Sequence, residues 1–270
     1  MIESTVSLLH HDPDLGRDLP PAELLAARRA LPALSVTLEP GTWDWASTSG
    51  RDRPPDATML VLDGLLLLDV ELASCPSAEL IGPGDVLPSL DRRRNAETLL
   101  PMGVELAVLE PTRVALLDES FHLACARWPS VMMALLERME QRSWRLTTQA
   151  AICHLPAVHL RLLALFWHLA DRWGKVGPDH LVLPLRLLHR TLGKMVGAER
   201  PTVSLALRQL SDGGLVMRRP DGAWLLRRDP SEGLELLTRC NPRPASLITD
   251  SGRDGHGVWR PDAARVSNQR

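Results

Sequence analysis

The stretch from Leu187 to Leu226 constrains the fold more than any other part of the sequence. Leu188, Leu192, Met195 and Val196 place apolar groups on one face of a short helix. Gly197-Ala198 follows as a tight turn of small residues, which two closely crossing helices require. A second helix accepts Pro201 in its first turn, where the missing N–H would have no helical partner anyway. Val203, Leu207 and Leu210 form its buried stripe, so Arg200, Thr202, Ser204, Leu205 and Arg208 point outward. Gly213-Gly214 closes that helix. Leu215 to Arg219, the turn Pro220-Asp221-Gly222, and Ala223 to Leu226 then read as strand, turn and strand. Helix, tight turn, helix and hairpin make a winged helix-turn-helix.

Charge singles out the same stretch. The 270 residues carry a formal charge of −2, yet Leu185 to Arg228 holds nine basic residues against three acidic ones. A basic module on a near-neutral chain fits a polyanionic partner, whereas a merely solvated surface would leave the same composition. The major groove of duplex DNA accepts one helix, whose N-terminal side chains meet base edges. Arg200 suits a bidentate pair to guanine, Thr202 and Ser204 suit phosphate or base, and the helix N-terminus suits a phosphate oxygen. Arg218 and Arg219 on the wing suit phosphates irrespective of sequence.

Upstream the texture changes twice. Residues 1–32 read as a polar N-terminal extension with one helical patch, Pro21 to Leu31. From Ala33 to Asp118 short strands alternate with turns: Leu34 to Leu38, a hairpin of Met59 to Leu62 and Leu65 to Leu68 joined by Asp63-Gly64, then Glu79 to Ile81, Val104 to Leu109 and Arg113 to Leu117. Such a series predicts a small barrel or β-roll over residues 33–128. Residues 129–155 form a long helix in which Met132, Leu135, Met139, Leu146, Ala150 and Cys153 recur at spacings of three, four and seven. Glu137, Arg138, Glu140, Gln141 and Arg145 lie elsewhere on it. The seam is expected to pair two copies of the chain; packing within one domain is the plainer reading of the same spacing. A further helix, Ala157 to Trp173, opens the C-terminal module of residues 156–237, and a tail over 238–270 has a composition expected to be disordered.

The order β-roll, long helix, second helix and winged helix-turn-helix resembles the Crp/Fnr family of bacterial transcription regulators. The run Val196-Gly197-Ala198-Glu199-Arg200-Pro201-Thr202-Val203-Ser204-Leu205-Ala206-Leu207-Arg208-Gln209-Leu210 is similar to that family's recognition-helix signature. The resemblance implies an α+β fold with a cyclic-nucleotide-binding-like β-roll, a dimerisation helix carrying Met132, Leu135, Met139, Leu146 and Ala150, and a DNA-binding domain at the C-terminus. It implies DNA contacts from Thr191, Glu199, Arg200, Pro201, Thr202, Ser204, Leu205, Arg208, Arg218 and Arg219. Arg200 matches the family's first base-reading arginine. Pro201 stands where a glutamate is usual and Leu205 where a second base-reading arginine is usual, so the operator is expected to differ from that of the best-known members.

Ile81-Gly82-Pro83-Gly84-Asp85-Val86 is similar to the turn before the family's cyclic-nucleotide cassette. The cassette itself is missing its Gly-Glu pair and its Arg-Ser/Thr step; Leu87 to Asp91 and Arg92-Arg93-Arg94 follow instead. A buried cyclic phosphate needs a partner cation, so cyclic AMP is not the expected effector, which stays unnamed. Cys75-Pro76 has no paired histidine nearby, and Cys75, Cys125, Cys153 and Cys240 show no metal-ligand spacing, so no cofactor or metal is expected. The scattered thiols fit a reducing cytoplasm. The N-terminus shows no signal peptide, and the longest apolar run, Met59 to Leu68, is broken by Asp63 and Gly64, so no membrane partner is expected. The nine histidines form no nucleophile–base–carboxylate arrangement, and Gly82-Pro83-Gly84 is a turn rather than a phosphate loop, which argues against an enzyme. The expected partners are a pseudo-palindromic DNA duplex, a second copy of the chain and RNA polymerase. The competing reading is a scaffold whose winged helix contacts a protein, polymerase included; salt-dependent DNA binding separates the two.

Overall fold

Two long strands organise the N-terminal half. β4 (Thr58–Leu72) and β7 (Met102–Leu117) pair antiparallel from Thr58↔Leu117 to Leu72↔Met102. The computed structural model describes residues 3–43, 57–88, 100 and 102–227. Around the central pair the sheet runs β1-β2-β7-β4-β5, with β1 at Glu3–Ser7, β2 at Pro32–Leu38 and β5 at Cys75–Ile81. β3 (Gly41–Trp43) pairs with β7 and β6 (Val86–Leu87) with β4.

The expected hairpin at Asp63-Gly64 is corrected: both residues lie inside β4, where the register slips. Gly64 has φ +94°, and a Cβ there would collide with Thr112 Oγ1 and the Pro111 carbonyl oxygen. Thr112 is fully buried; its hydroxyl accepts from the Leu65 N–H at 3.0 Å and donates to the Glu110 carbonyl at 2.7 Å. Pro111, which has no N–H to give a ladder, sits opposite this irregularity. Asp-Gly and Pro are turn signals in isolation; here each marks a bulge in a bent strand.

The true turn of this hairpin is Ala73-Ser74, between Leu72 and its partner Cys75. Both central residues have positive φ, 49° and 63°, where an L side chain is strained. Replacing the pair by Asn-Gly should stabilise the protein by about 1 kcal/mol. Urea unfolding measures this, and an unchanged midpoint would show that the turn carries no strain.

Residues 3–31 are not an appendage, contrary to the sequence reading. β1 pairs with β2 from Glu3↔Val36 to Ser7↔Pro32. Helices α1 (Leu8–His11) and α2 (Pro21–Ala30) follow. Leu8, Leu9, Leu15, Ala27 and Leu31 are buried with Phe121 of α3 (Glu119–Cys125) and with Trp128, Val131 and Leu135. The roll interior is a separate apolar core that includes Met59, Val61, Leu66, Leu68, Ile81, Leu106 and Val114.

α4 (Pro129–Cys153) and α5 (Val158–Trp173) match the two expected helices. Strands β8 (Lys175–Val176) and β9 (His180–Leu183), unforeseen in the sequence, precede α6 (His189–Val196) and α7 (Arg200–Asp212). β10 (Val216–Arg218) and β11 (Trp224–Arg227) complete a sheet ordered β10-β11-β9-β8. One continuous core joins this module to the roll. Leu65, Leu67, Ala78 and Leu80 alternate with the inward residues of β4 and β5, and they pack with Phe166, Leu192, Met195, Leu207 and Trp224. The tail over 238–270 lies outside the described residues.

Candidate nucleic-acid interface

Local chemistry sets α6 and α7. Gly197 ends α6 in the left-handed conformation, φ +62°, which a residue without Cβ adopts freely. Arg161 of α5 donates to the Leu155, Val196 and Gly197 carbonyls, holding the C-terminal end of α6 with a cation. Glu199 is the N-cap of α7 and Pro201 lies in its first turn. Val203, Ala206, Leu207 and Leu210 are buried, so the helix is anchored along one stripe. Leu188, expected on the buried face of α6, is its N-cap instead and is 64% exposed.

On the outward face Arg200, Pro201, Thr202, Leu205 and Arg208 are all exposed. Leu205, at 61%, is the most exposed apolar side chain of this helix. Ser204 differs from expectation. Its hydroxyl donates to the Arg200 carbonyl at 3.0 Å and stands 2.9 Å from His189 Nδ1, so it serves the helix rather than facing outward. Thr191 is partly covered and Glu199 exposed. On the wing, the Arg218 guanidinium lies 5.4 Å from the Trp224 ring centroid, and Arg219 pairs with Asp221 at 3.1 Å. Lys194 does not add to the basic face: it pairs with Asp69 of β4 at 2.8 Å.

His189 was missed in the sequence. Burial lowers its pKa from the ordinary value, and the nearby charges of Arg218 and Arg200 push the same way. The unfolded chain therefore binds this proton first, and stability contributed by neutral His189 is lost as the pH falls through its ordinary range.

The face of α4 is the main correction. Leu135 is 4% exposed and packs into the core with Leu8, Leu9 and Leu15, so it cannot serve a seam between copies. Met132 is partly buried against the same core, and Cys153 is turned toward the Met195 carbonyl, 3.4 Å away. Met139, Leu146 and Ala150 of the expected seam are exposed, but towards the N-terminal end of the helix the exposed apolar positions are one residue over, at Met133 and Leu136. Arg138 and Arg145, expected away from the seam on the charged face, turn inward, and Arg142 does so too. Arg138 pairs with Asp12 at 2.7 Å, and Arg142 grips both oxygens of Glu79 at 2.9 and 2.7 Å. Arg145 meets Asp85, which also accepts from Arg172 of α5 at 2.6 Å and from the Gly82 N–H at 2.8 Å. Asp85, the acid of the Gly-Pro-Gly-Asp turn, is almost wholly buried and joins roll, long helix and C-terminal module in one ion network. Burial lowers the Arg145 pKa, with Asp85 opposing and Arg172 adding to the shift.

Among the described residues no group of three His, Cys, Asp or Glu is placed to hold a metal, and no helix is long and apolar enough to cross a membrane. Arg92 to Arg94 lie outside the described residues.

Residues 160–231 match the family model of the Crp-like helix-turn-helix domain. No curated protein matches the chain. Among solved structures, a CooA mutant from Carboxydothermus hydrogenoformans superposes with TM-score 0.59 at 17% identity, over 75% of this chain and 86% of its own. FixK2 from Bradyrhizobium japonicum gives 0.56 at 19%, over 76% and 96%. A cyclic nucleotide-binding domain containing protein from Listeria monocytogenes EGD-e gives 0.57 at 16%, over 71% and 87%. At these identities the likeness is one of fold. Residues 160–231 are therefore similar to a Crp-like helix-turn-helix domain, and the chain shares the fold of CooA and FixK2.

Proposed function

We propose that the chain is a transcription regulator that binds duplex DNA sequence-specifically as a homodimer. The observation that carries this reading is α7: one stripe is sunk in the core while Arg200, Thr202, Leu205 and Arg208 stand free beside the wing arginines. A helix so held presents fixed side chains to a groove with little loss of conformational freedom on binding. The homodimer is supported by the apolar stripe of Met133, Leu136, Met139 and Leu146 on α4. A second copy laid along it would supply the second recognition helix that a site of two half-sites needs.

Cyclic AMP is not the effector we propose. After Ile81-Gly82-Pro83-Gly84-Asp85-Val86 the sequence has neither the Gly-Glu pair nor the Arg-Ser/Thr step that would give ribose and cyclic phosphate their partners.

The test compares two kinds of arginine on a site obtained by genomic footprinting. Arg200→Ala should cost about 1–3 kcal/mol on that site and relax preference at one base pair per half-site. Replacing Arg218 and Arg219 should weaken binding to all duplexes and flatten the dependence on salt. Equal loss on specific and non-specific DNA from Arg200→Ala would remove its base-reading role.

His189 adds a proton to the same equilibrium. Phosphate oxygens brought near it favour the imidazolium, so binding takes up a proton and affinity should rise as the pH falls from 8 to 6. Anisotropy titrations of wild type and His189→Gln check this. Identical pH profiles for the two would show that His189 does not face the duplex.

A further inference from the structure

The recognition face carries an apolar group at its centre. The buried stripe of α7 is Val203, Ala206, Leu207 and Leu210, and the line opposite it passes through Pro201 and Leu205, one turn apart. Both are exposed, in the half of the helix nearest its N-terminus. Arg208 follows on the same side, with Arg200 and Thr202 flanking. Leu205 keeps 61% of its surface in water. A lone exposed leucine is unremarkable on most surfaces. On the line that enters a groove first, however, its alternatives are to desolvate base-edge polar atoms without repaying them or to meet the one apolar group that a base pair displays there. That group is the thymine 5-methyl.

We infer that Leu205, backed by Pro201, reads a thymine methyl group in the major groove, so that each half-site carries a T·A pair opposite this patch. The inference rests on the DNA-binding reading above. Arg200 would then fix a guanine and Leu205 a thymine, giving a two-part contact of one hydrogen-bonded and one apolar recognition.

The measurement uses the full chain and the duplex selected by footprinting, with deoxyuridine replacing each thymine in turn. Deoxyuridine keeps every hydrogen-bonding group and removes only the methyl. Replacement at one position of a half-site should weaken binding about fourfold for each half-site replaced, the worth of burying one methyl-sized group. Placing 5-methylcytosine paired with guanine there should recover part of the loss relative to cytosine. Leu205→Ala, whose exposed position leaves the fold intact, should bind thymine and deoxyuridine duplexes equally. Tight, sequence-specific binding that no deoxyuridine replacement changes would overturn the methyl reading alone. A deoxyuridine effect that persists undiminished in Leu205→Ala would move the contact to another residue and overturn it too. Absence of salt-dependent binding to any duplex would instead end the DNA-binding reading, and this inference with it.

Discussion

Asp85→Asn is expected to destabilise the protein by about 3–5 kcal/mol, the cost of removing one partner from a buried ion group. The carboxylate has 2% of its side-chain surface in water and faces two guanidiniums, those of Arg145 and Arg172. The amide keeps the shape and one acceptor oxygen, so loss of charge is the variable. Two like charges then remain side by side in a poorly solvated place, where Arg172 already opposes the charge on Arg145. For a chain of this size the melting temperature should fall by roughly 10 °C. A compensating variant separates charge from packing. With Asp85→Leu, Arg145→Met and Arg172→Met combined, the stranded charges are gone and most of the stability should return. Recovery stops short of complete because the buried Gly82 N–H, which donates to Asp85, loses its acceptor. Circular dichroism melts of the three proteins decide it. A shift of only a degree or two for Asp85→Asn would show that the network is solvated and structurally idle.

Leu136→Glu should abolish the proposed homodimer without unfolding the subunit. Leu136 is 49% exposed, so the carboxylate is solvated in the monomer. In a paired helix each copy would bring its charge against its partner's apolar stripe, desolvating two charges at once. Affinity for a palindromic site should fall on the order of a hundredfold or more, because two linked half-site contacts become separate events. Leu135→Glu provides the contrast: it places a charge among Leu8, Leu9 and Leu15 and should unfold the roll. Sedimentation with and without the palindrome reads both. A Leu136→Glu protein that remains a dimer would move the interface off α4.

The one-residue difference between Leu135 and Leu136 shows where sequence reasoning stopped. Spacings of three and four fit two adjacent stripes of one helix equally well. What chooses between them is Leu8, Leu9 and Leu15, more than a hundred positions away and packed on α4. The inward turn of Arg138, Arg142 and Arg145 is hidden from the helix's own spacing for the same reason, since Asp12, Glu79 and Asp85 come from distant segments. Their spacing of four and three was a usable signal, because it repeats the spacing of a face rather than a scatter. By contrast the order of α6, Gly197, α7 and the wing was legible, because each depends on neighbours within a few positions, although Leu188 and Ser204 sit otherwise than expected. The strands fell between these cases. Asp63-Gly64 and Pro111 carry honest turn chemistry, yet they face each other across β4 and β7 and bend one ladder instead of ending two.

The continuous core has a thermodynamic consequence for signalling. Leu65, Leu67, Ala78 and Leu80 of the roll share their burial with Phe166, Met195 and Leu207, so neither half can open without exposing the other's apolar surface. The two halves accordingly form one cooperative unit rather than beads on a hinge. Whatever binds only the folded recognition helix also shifts the population of intact β4–β5 hairpin, and whatever braces the hairpin pre-pays part of the ordering at α7. Communication between the ends of this molecule needs no moving lever. It is carried in the free energy of keeping a common interior closed.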